Sequence, residues 1–197
     1  MALDTTNALV TLAEAKAYLK ITAATEDSTI ENFINRASTW ANNYTGRELL
    51  SRTASETFDG DGTDSVSLKN YPLVNIIDFR RTKEDLTSEV ISTGYLVNNR
   101  FGIVKFIDGS VFIKGFNNYT ITSESGYSFA TLPESIKEAV LLYVGHAYRR
   151  QYADQKFGVQ SETVGDRTTT YGSDDIIPKA KSLLNPYRSE RVLFSGF

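Results

Sequence analysis

The strongest constraint in this sequence is a change of hydrophobic period. From Ser51 to about Tyr127, apolar and β-branched residues come in short alternating runs separated by turn chemistry. On both sides of that block, apolar residues recur at three- and four-residue spacing. A chain ordered this way is expected to be α+β: a small helical bundle with an inserted antiparallel β region. The block contains no helical run between its strands, so a βαβ arrangement is not expected.

The helices are placed by their ends. Thr11-Leu12-Ala13-Glu14 reads as a capping box, with Leu12, Ala15 and Leu19 following on one face. Ser28 and Glu31 suggest a second box, with Asp27 adding favourable charge at the helix start. Ile30, Phe33, Ile34, Ala37, Ala41 and Tyr44 then repeat at helical spacing, and Gly46 is placed as a left-handed stop. Pro133 and Glu134 open a third helix whose stripe is Ile136, Ala139, Val140, Tyr143, Val144 and Ala147. A last helix carries Pro178 in its first turn and turns Ile177, Ala180, Leu183 and Leu184 inward. The expected spans are about 11–20, 28–45, 133–153 and 175–184.

Within the β block, two Asp-Gly tips are expected to close hairpins. Asp59-Gly60-Asp61-Gly62 would join Glu56–Phe58 to Val66–Leu68, and Asp108-Gly109 would join Ile103–Phe106 to Val111–Ile113. Val74–Phe79 and Asn118–Thr122 read as further strands, and Tyr71-Pro72 suits the start or edge of one. Residues 154–175, rich in Gly, Ser, Thr and charge, read as a long loop without structure of its own. Residues 185–197 form a tail rich in aromatic and apolar side chains. Such a tail would dock either on a partner or back on its own body. Residues 1–184 are expected to form a single domain.

Composition excludes several chemistries. The 197-residue chain has no cysteine and one histidine, so disulfides, thiolate nucleophiles and multi-histidine zinc sites within one chain are ruled out. The formal net charge of −3 argues against a general nucleic-acid binder. No apolar run reaches membrane-spanning length, and MALDTTNALV lacks the basic and apolar regions of a secretory signal. A cytosolic compartment fits the absence of cysteine best. Asp59, Asp61 and Gly62 echo a calcium loop, but Asp64 and Asn70 stand where that loop needs Gly and Glu, so a solvated turn is the simpler reading. His146 has no nucleophile motif around it and reads as a packed or surface residue. Arg80-Arg81 and Arg149-Arg150 read as solvated or ion-paired faces. No phosphate-binding glycine loop is present, and no cofactor is expected.

The order of short motifs resembles the head–tail connector (adaptor) proteins of long-tailed bacteriophages. The resembling stretches are Ala8–Lys20, Ile30–Ala37, Tyr44-Thr45-Gly46-Arg47, Tyr71–Val74, Gly126-Tyr127 with Leu132-Pro133, Val164–Asp166 with Thr170-Tyr171, and Leu183-Leu184 with Pro186–Arg188. The resemblance implies a structural virion protein of the neck, not an enzyme. It implies a homo-oligomeric ring, twelve-fold in the family, beneath the portal protein. The ring would join the DNA-filled head to a head-closure or tail-completion protein, with DNA passing through unread.

On that view the tail is expected to dock on the portal through Tyr187, Arg188, Arg191, Phe194 and Phe197, because aromatic and Arg side chains favour hot spots. Phe157, Val164, Asp166, Arg167 and Tyr171 of the preceding loop are expected to contact a neighbouring subunit or neck protein. Two rival readings compete with this one. The first is a monomeric module that recognises a glycan or peptide through its β region, and the second is a hydrolase using His146.

Overall fold

The computed structural model describes residues 2–152, 161–164, 167–170 and 176–189. Its contacts gather into two compact units. A helical unit is built from residues up to Thr45 together with Leu132–Arg188, and a β unit from Gly46–Thr131. The architecture is α+β, as the change of period implies.

In the helical unit, α1 (Leu12–Leu19) begins with the expected capping box. Thr11 Oγ1 accepts from the Glu14 amide at 3.1 Å, and Glu14 Oε2 accepts from the Thr11 amide at 2.7 Å. Lys20 closes the helix in the left-handed region, where a side chain is strained. Helix α2 (Asp27–Thr45) buries Ile30, Phe33, Ile34, Ala37, Ser38, Ala41 and Thr45 along one face, and Gly46 stops it at φ 71°. The second capping box does not form where it was expected, because the helix starts before Ser28. The Thr29 and Ile30 amides already donate to the Glu26 carbonyl, and Asp27 is tied to Lys16 at 2.6 Å.

Pro133 directly precedes α3 (Glu134–Tyr152), which buries Ile136, Ala139, Val140 and Val144. Gly145 on α3 lies where a β-carbon would stand 2.9 Å from the Tyr18 ring, so its lack of a side chain lets α1 approach. Helix α4 (Ile176–Leu184) buries Ala180 and Leu184, and a short 3₁₀ turn (Asn185–Tyr187) follows it.

Glu14 also sets a pH dependence. Burial pushes its carboxyl up, but the hydrogen bonds from Thr11 and the Lys137 ammonium at 3.4 Å outweigh that and hold it below its ordinary value. A carboxyl depressed in the fold stabilises it above the unfolded pKa and loses that contribution as pH falls through the folded one. Glu14→Gln is therefore expected to cost up to about 1 kcal/mol at neutral pH, a modest figure because the group is partly exposed. Its midpoint should converge on the wild-type midpoint in acid denaturation series below the ordinary glutamate range.

The β unit contains two antiparallel sheets. Strands β1 (Arg52–Gly60), β7 (Gly115–Ser125), β3 (Leu73–Thr82) and β4 (Ser88–Val90) lie in the order β1-β7-β3-β4. Strands β2 (Ser65–Ser67), β6 (Ile103–Phe106) and β5 (Tyr95–Asn98) lie in the order β2-β6-β5. Phe58, Leu68, Leu73, Phe79, Val104, Phe106, Phe112, Tyr119 and Ile121 form their common core. On the opposite face of the larger sheet, Ser55 meets Thr122 at 2.7 Å and Thr57 meets Thr120 at 3.1 Å. Pro72 immediately precedes β3, where its missing donor disturbs no ladder.

Neither Asp-Gly tip closes the expected hairpin. Strand β1 pairs with β7, not with β2, and β6 pairs with β2 and β5, not with residues 111–113. The two turn-rich segments bond to each other instead. The Gly62 amide donates to the Phe112 carbonyl at 2.7 Å, and the Phe112 amide donates to the Thr63 carbonyl at 2.8 Å. Burial of Phe112 between the sheets decides this against the local turn preference. The segment expected to lack structure also holds a hairpin, β8 (Ser161–Val164) with β9 (Arg167–Thr170).

Candidate interaction surfaces

The helical unit carries a groove along α2 and α3. Phe33, Arg36 and Trp40 stand at i, i+3 and i+7 on α2, so all three share a face. Tyr143, His146, Ala147, Arg150 and Gln151 answer them from α3, and Ile177 of α4 completes a cavity of about 550 Å³. Trp40 stacks on Tyr143 at 5.1 Å and on Tyr44 at 5.9 Å, which makes the floor aromatic. A second stretch of about 500 Å³, lined by Thr29, Asn32, Asn35 and the shared Phe33, Arg36 and Gln151, extends it along α2. The rim bears two guanidinium groups. His146 is a half-buried wall residue of this groove.

The start of the expected docking tail is fastened to the helices. The Tyr44 hydroxyl donates to Asn185 Oδ1 at 2.6 Å, and Tyr187 shares a 2.8 Å hydrogen bond with Ser135. The Arg188 guanidinium lies 5.3 Å from the Tyr44 ring centroid. Tyr187 and Arg188 are thus half-buried on their own unit. Arg191, Phe194 and Phe197 lie outside the described residues, as do Phe157, Asp166 and Tyr171. Val164 closes β8 and Arg167 opens β9, and the two are partners in register.

In the β unit, three turns repeat one device. Asp61, Asp85 and Asp108 each accept from the amide two residues on, at Thr63, Thr87 and Ser110. Thr63 and Thr87 add hydroxyl donation at 2.6 Å. These hydrogen bonds hold all three carboxyls below the usual aspartate range. The Asp59 carboxylate accepts from the Asn117 amide at 2.6 Å. The calcium-loop echo is therefore turn chemistry, and among the described residues no cluster of His, Asp or Glu is placed to hold a metal. No described helix is long and apolar enough to cross a membrane.

The same region is apolar at its tip. Strand β7 begins where β1 and β3 end, so the turn after β3, the loop 107–114 and the first residues of β7 share one end of the strands. Leu86 is 84% exposed there and Phe116 85%, with Ile107, Val111 and Ile113 also exposed. Of the paired arginines, Arg80 bonds Asp78 at 2.6 Å, and Arg47 of the Tyr44–Arg47 motif is buried, stacked 3.7 Å over Tyr71. Sequence reasoning missed Arg36, Trp40 and Gln151. The spacing of Phe33, Arg36 and Trp40 was the signal that could have found the groove.

Comparison with known proteins adds the following. Residues 8–190 match the head completion protein family. No curated protein matches. The fold is similar to a protein in the neck of an empty gene transfer agent particle computed with C6 symmetry, at TM-score 0.64 and 16% identity over 99% of this chain and 96% of that one. It is similar to one in the neck of the native particle computed with C12 symmetry, at TM-score 0.63 and 15% identity over the same shares. It also resembles a chain of the native virion, at TM-score 0.63 and 16% identity.

Proposed function

The chain belongs to the head completion protein family, a structural protein and not an enzyme, and we propose that it acts as the head–tail adaptor of a phage-like particle. Copies form a ring beneath the portal and hand the DNA-filled head to a head-closure protein or tail. The family match over residues 8–190 carries this reading. The likeness to chains from gene transfer agent necks supports a place in the neck, and the symmetry of those reconstructions supports a closed ring. The net charge of −3 suits a conduit that must not grip passing phosphates.

Within this reading, residues 190–197 dock on the portal through Arg191, Phe194 and Phe197, from the base that Tyr187 and Arg188 fix on the helices. The β8–β9 hairpin and its flanks reach a neighbouring subunit or neck protein. The test is an add-back assay. Particles deleted for this gene should accumulate DNA-filled heads and free tails, and the purified chain should restore joining. Joining that proceeds at the wild-type level without the protein would refute the adaptor reading.

A further inference from the structure

The chain displays two surfaces of opposite charge, one on each unit. The tip of the β unit exposes apolar side chains, led by Phe116 and Leu86. Its surroundings are acidic. The three turn carboxylates stand there with Asp59 and Glu84; of the nearby lysines, Lys83 and Lys105 are paired with Glu89 and Asp64, and Lys114 stands beside Asp61, so carboxylates remain in excess. The groove of the helical unit is concave, with an aromatic floor of Phe33, Trp40 and Tyr143, and its rim is basic through Arg36 and Arg150.

Resting on the ring reading above, we propose that the apolar, acidic β tip of one copy seats in the aromatic, arginine-rimmed groove of the next copy. A closed ring needs a heterologous contact, in which two different patches of one chain complement each other. An apolar side chain as exposed as Phe116 is costly to keep in water. The groove offers aromatic faces to receive it. Guanidinium groups facing a carboxylate-rich tip fix the orientation and penalise tip-to-tip or groove-to-groove pairing. A nucleic-acid backbone would fit the arginines but not the aromatic floor, and the acidic tip would find no place against phosphate.

The chain's lack of cysteine makes a direct test clean. Phe116→Cys and Gln151→Cys place single thiols on the tip and in the groove, both at exposed positions. In isolated necks assembled from equal amounts of the two variants, a short bismaleimide should link tip to groove. Necks built from either variant alone should give little product. The double variant should give a ladder of covalent oligomers. Phe116→Asp, which removes no buried contact, should abolish ring assembly while leaving the thermal midpoint of the free chain unchanged. Arg36→Glu should do the same. Rings that persist in both charge variants, without tip-to-groove cross-links, would overturn this interface and leave the ring reading standing. Necks that contain the wild-type chain as isolated copies would overturn both.

Discussion

Phe112→Ala is expected to cost about 3–5 kcal/mol, a large share of the roughly 5–15 kcal/mol that holds a typical domain together. Phe112 is 1% exposed and belongs to no strand. Its ring lies 4.8 Å from Phe106, 5.1 Å from Tyr119, 5.8 Å from Phe58 and 6.2 Å from Phe79. Removing it takes the central member from an aromatic cluster fed by both sheets. The neighbours cannot fill the space, because Val111 and Ile113 point the other way and a one-residue slip would break both backbone bonds to Gly62 and Thr63. Ile113→Ala, at an exposed side chain, serves as the control and should cost far less. The single tryptophan, Trp40, lies in the helical unit, so near-ultraviolet dichroism of the tyrosines and tryptophan fluorescence can follow the two units together. A Phe112→Ala chain with an unchanged denaturation midpoint would show that the aromatic cluster does not hold the β unit.

Phe112 also marks where sequence reasoning fails. Helix ends are local chemistry, and they were legible. Thr11 and Glu14 cap each other, Gly46 takes the left-handed stop, and Pro133 stands just before α3. Strand pairing is not local. The Ser55↔Thr122 and Glu56↔Ile121 pairs of β1 and β7 join residues more than sixty apart. No turn residue records such a partner. The Asp-Gly tips carried a true signal for turns, and their aspartates do cap them, but a cap says nothing about which strands the turn joins. Ser28 failed as a cap for a related reason. The contest between neighbouring starts was settled by the Glu26 carbonyl and by the Lys16–Asp27 ion pair from another helix.

The candidate surfaces divide in the same way. An aromatic residue on a helical stripe reads as core, so Phe33 looked like filling, and Trp40, off the stripe that was read, went unnoticed. Only the packing of α3 and α4 leaves their face open as a groove. The exposed tip was hidden for the opposite reason. Val111-Phe112-Ile113 reads as a strand, and only burial of the middle residue reveals that its neighbours face solvent.

Removing residues 190–197 is expected to abolish head–tail joining while leaving the thermal midpoint within about 1 °C of wild type. The stability half of this expectation follows from what the cut leaves behind. Asn185 still accepts from Tyr44, Tyr187 still meets Ser135, and Arg188 still covers the Tyr44 ring. A cut placed before Asn185 would remove all three anchors, each hydrogen bond contributing about 1 kcal/mol, and would confuse loss of fold with loss of docking. The functional half rests on residue type. Aromatic and arginine anchors at an interface centre carry about 2 kcal/mol or more each, so losing Phe194 and Phe197 together should weaken docking by roughly three orders of magnitude. The double variant Phe194→Ala/Phe197→Ala should approach the truncation in the add-back assay, whereas Ser195→Ala should join heads normally. If the truncated chain restores joining as well as the full one, residues 190–197 are not the portal contact. The search for that contact would then move to the β8–β9 pair, where Val164 and Arg167 are partners in register.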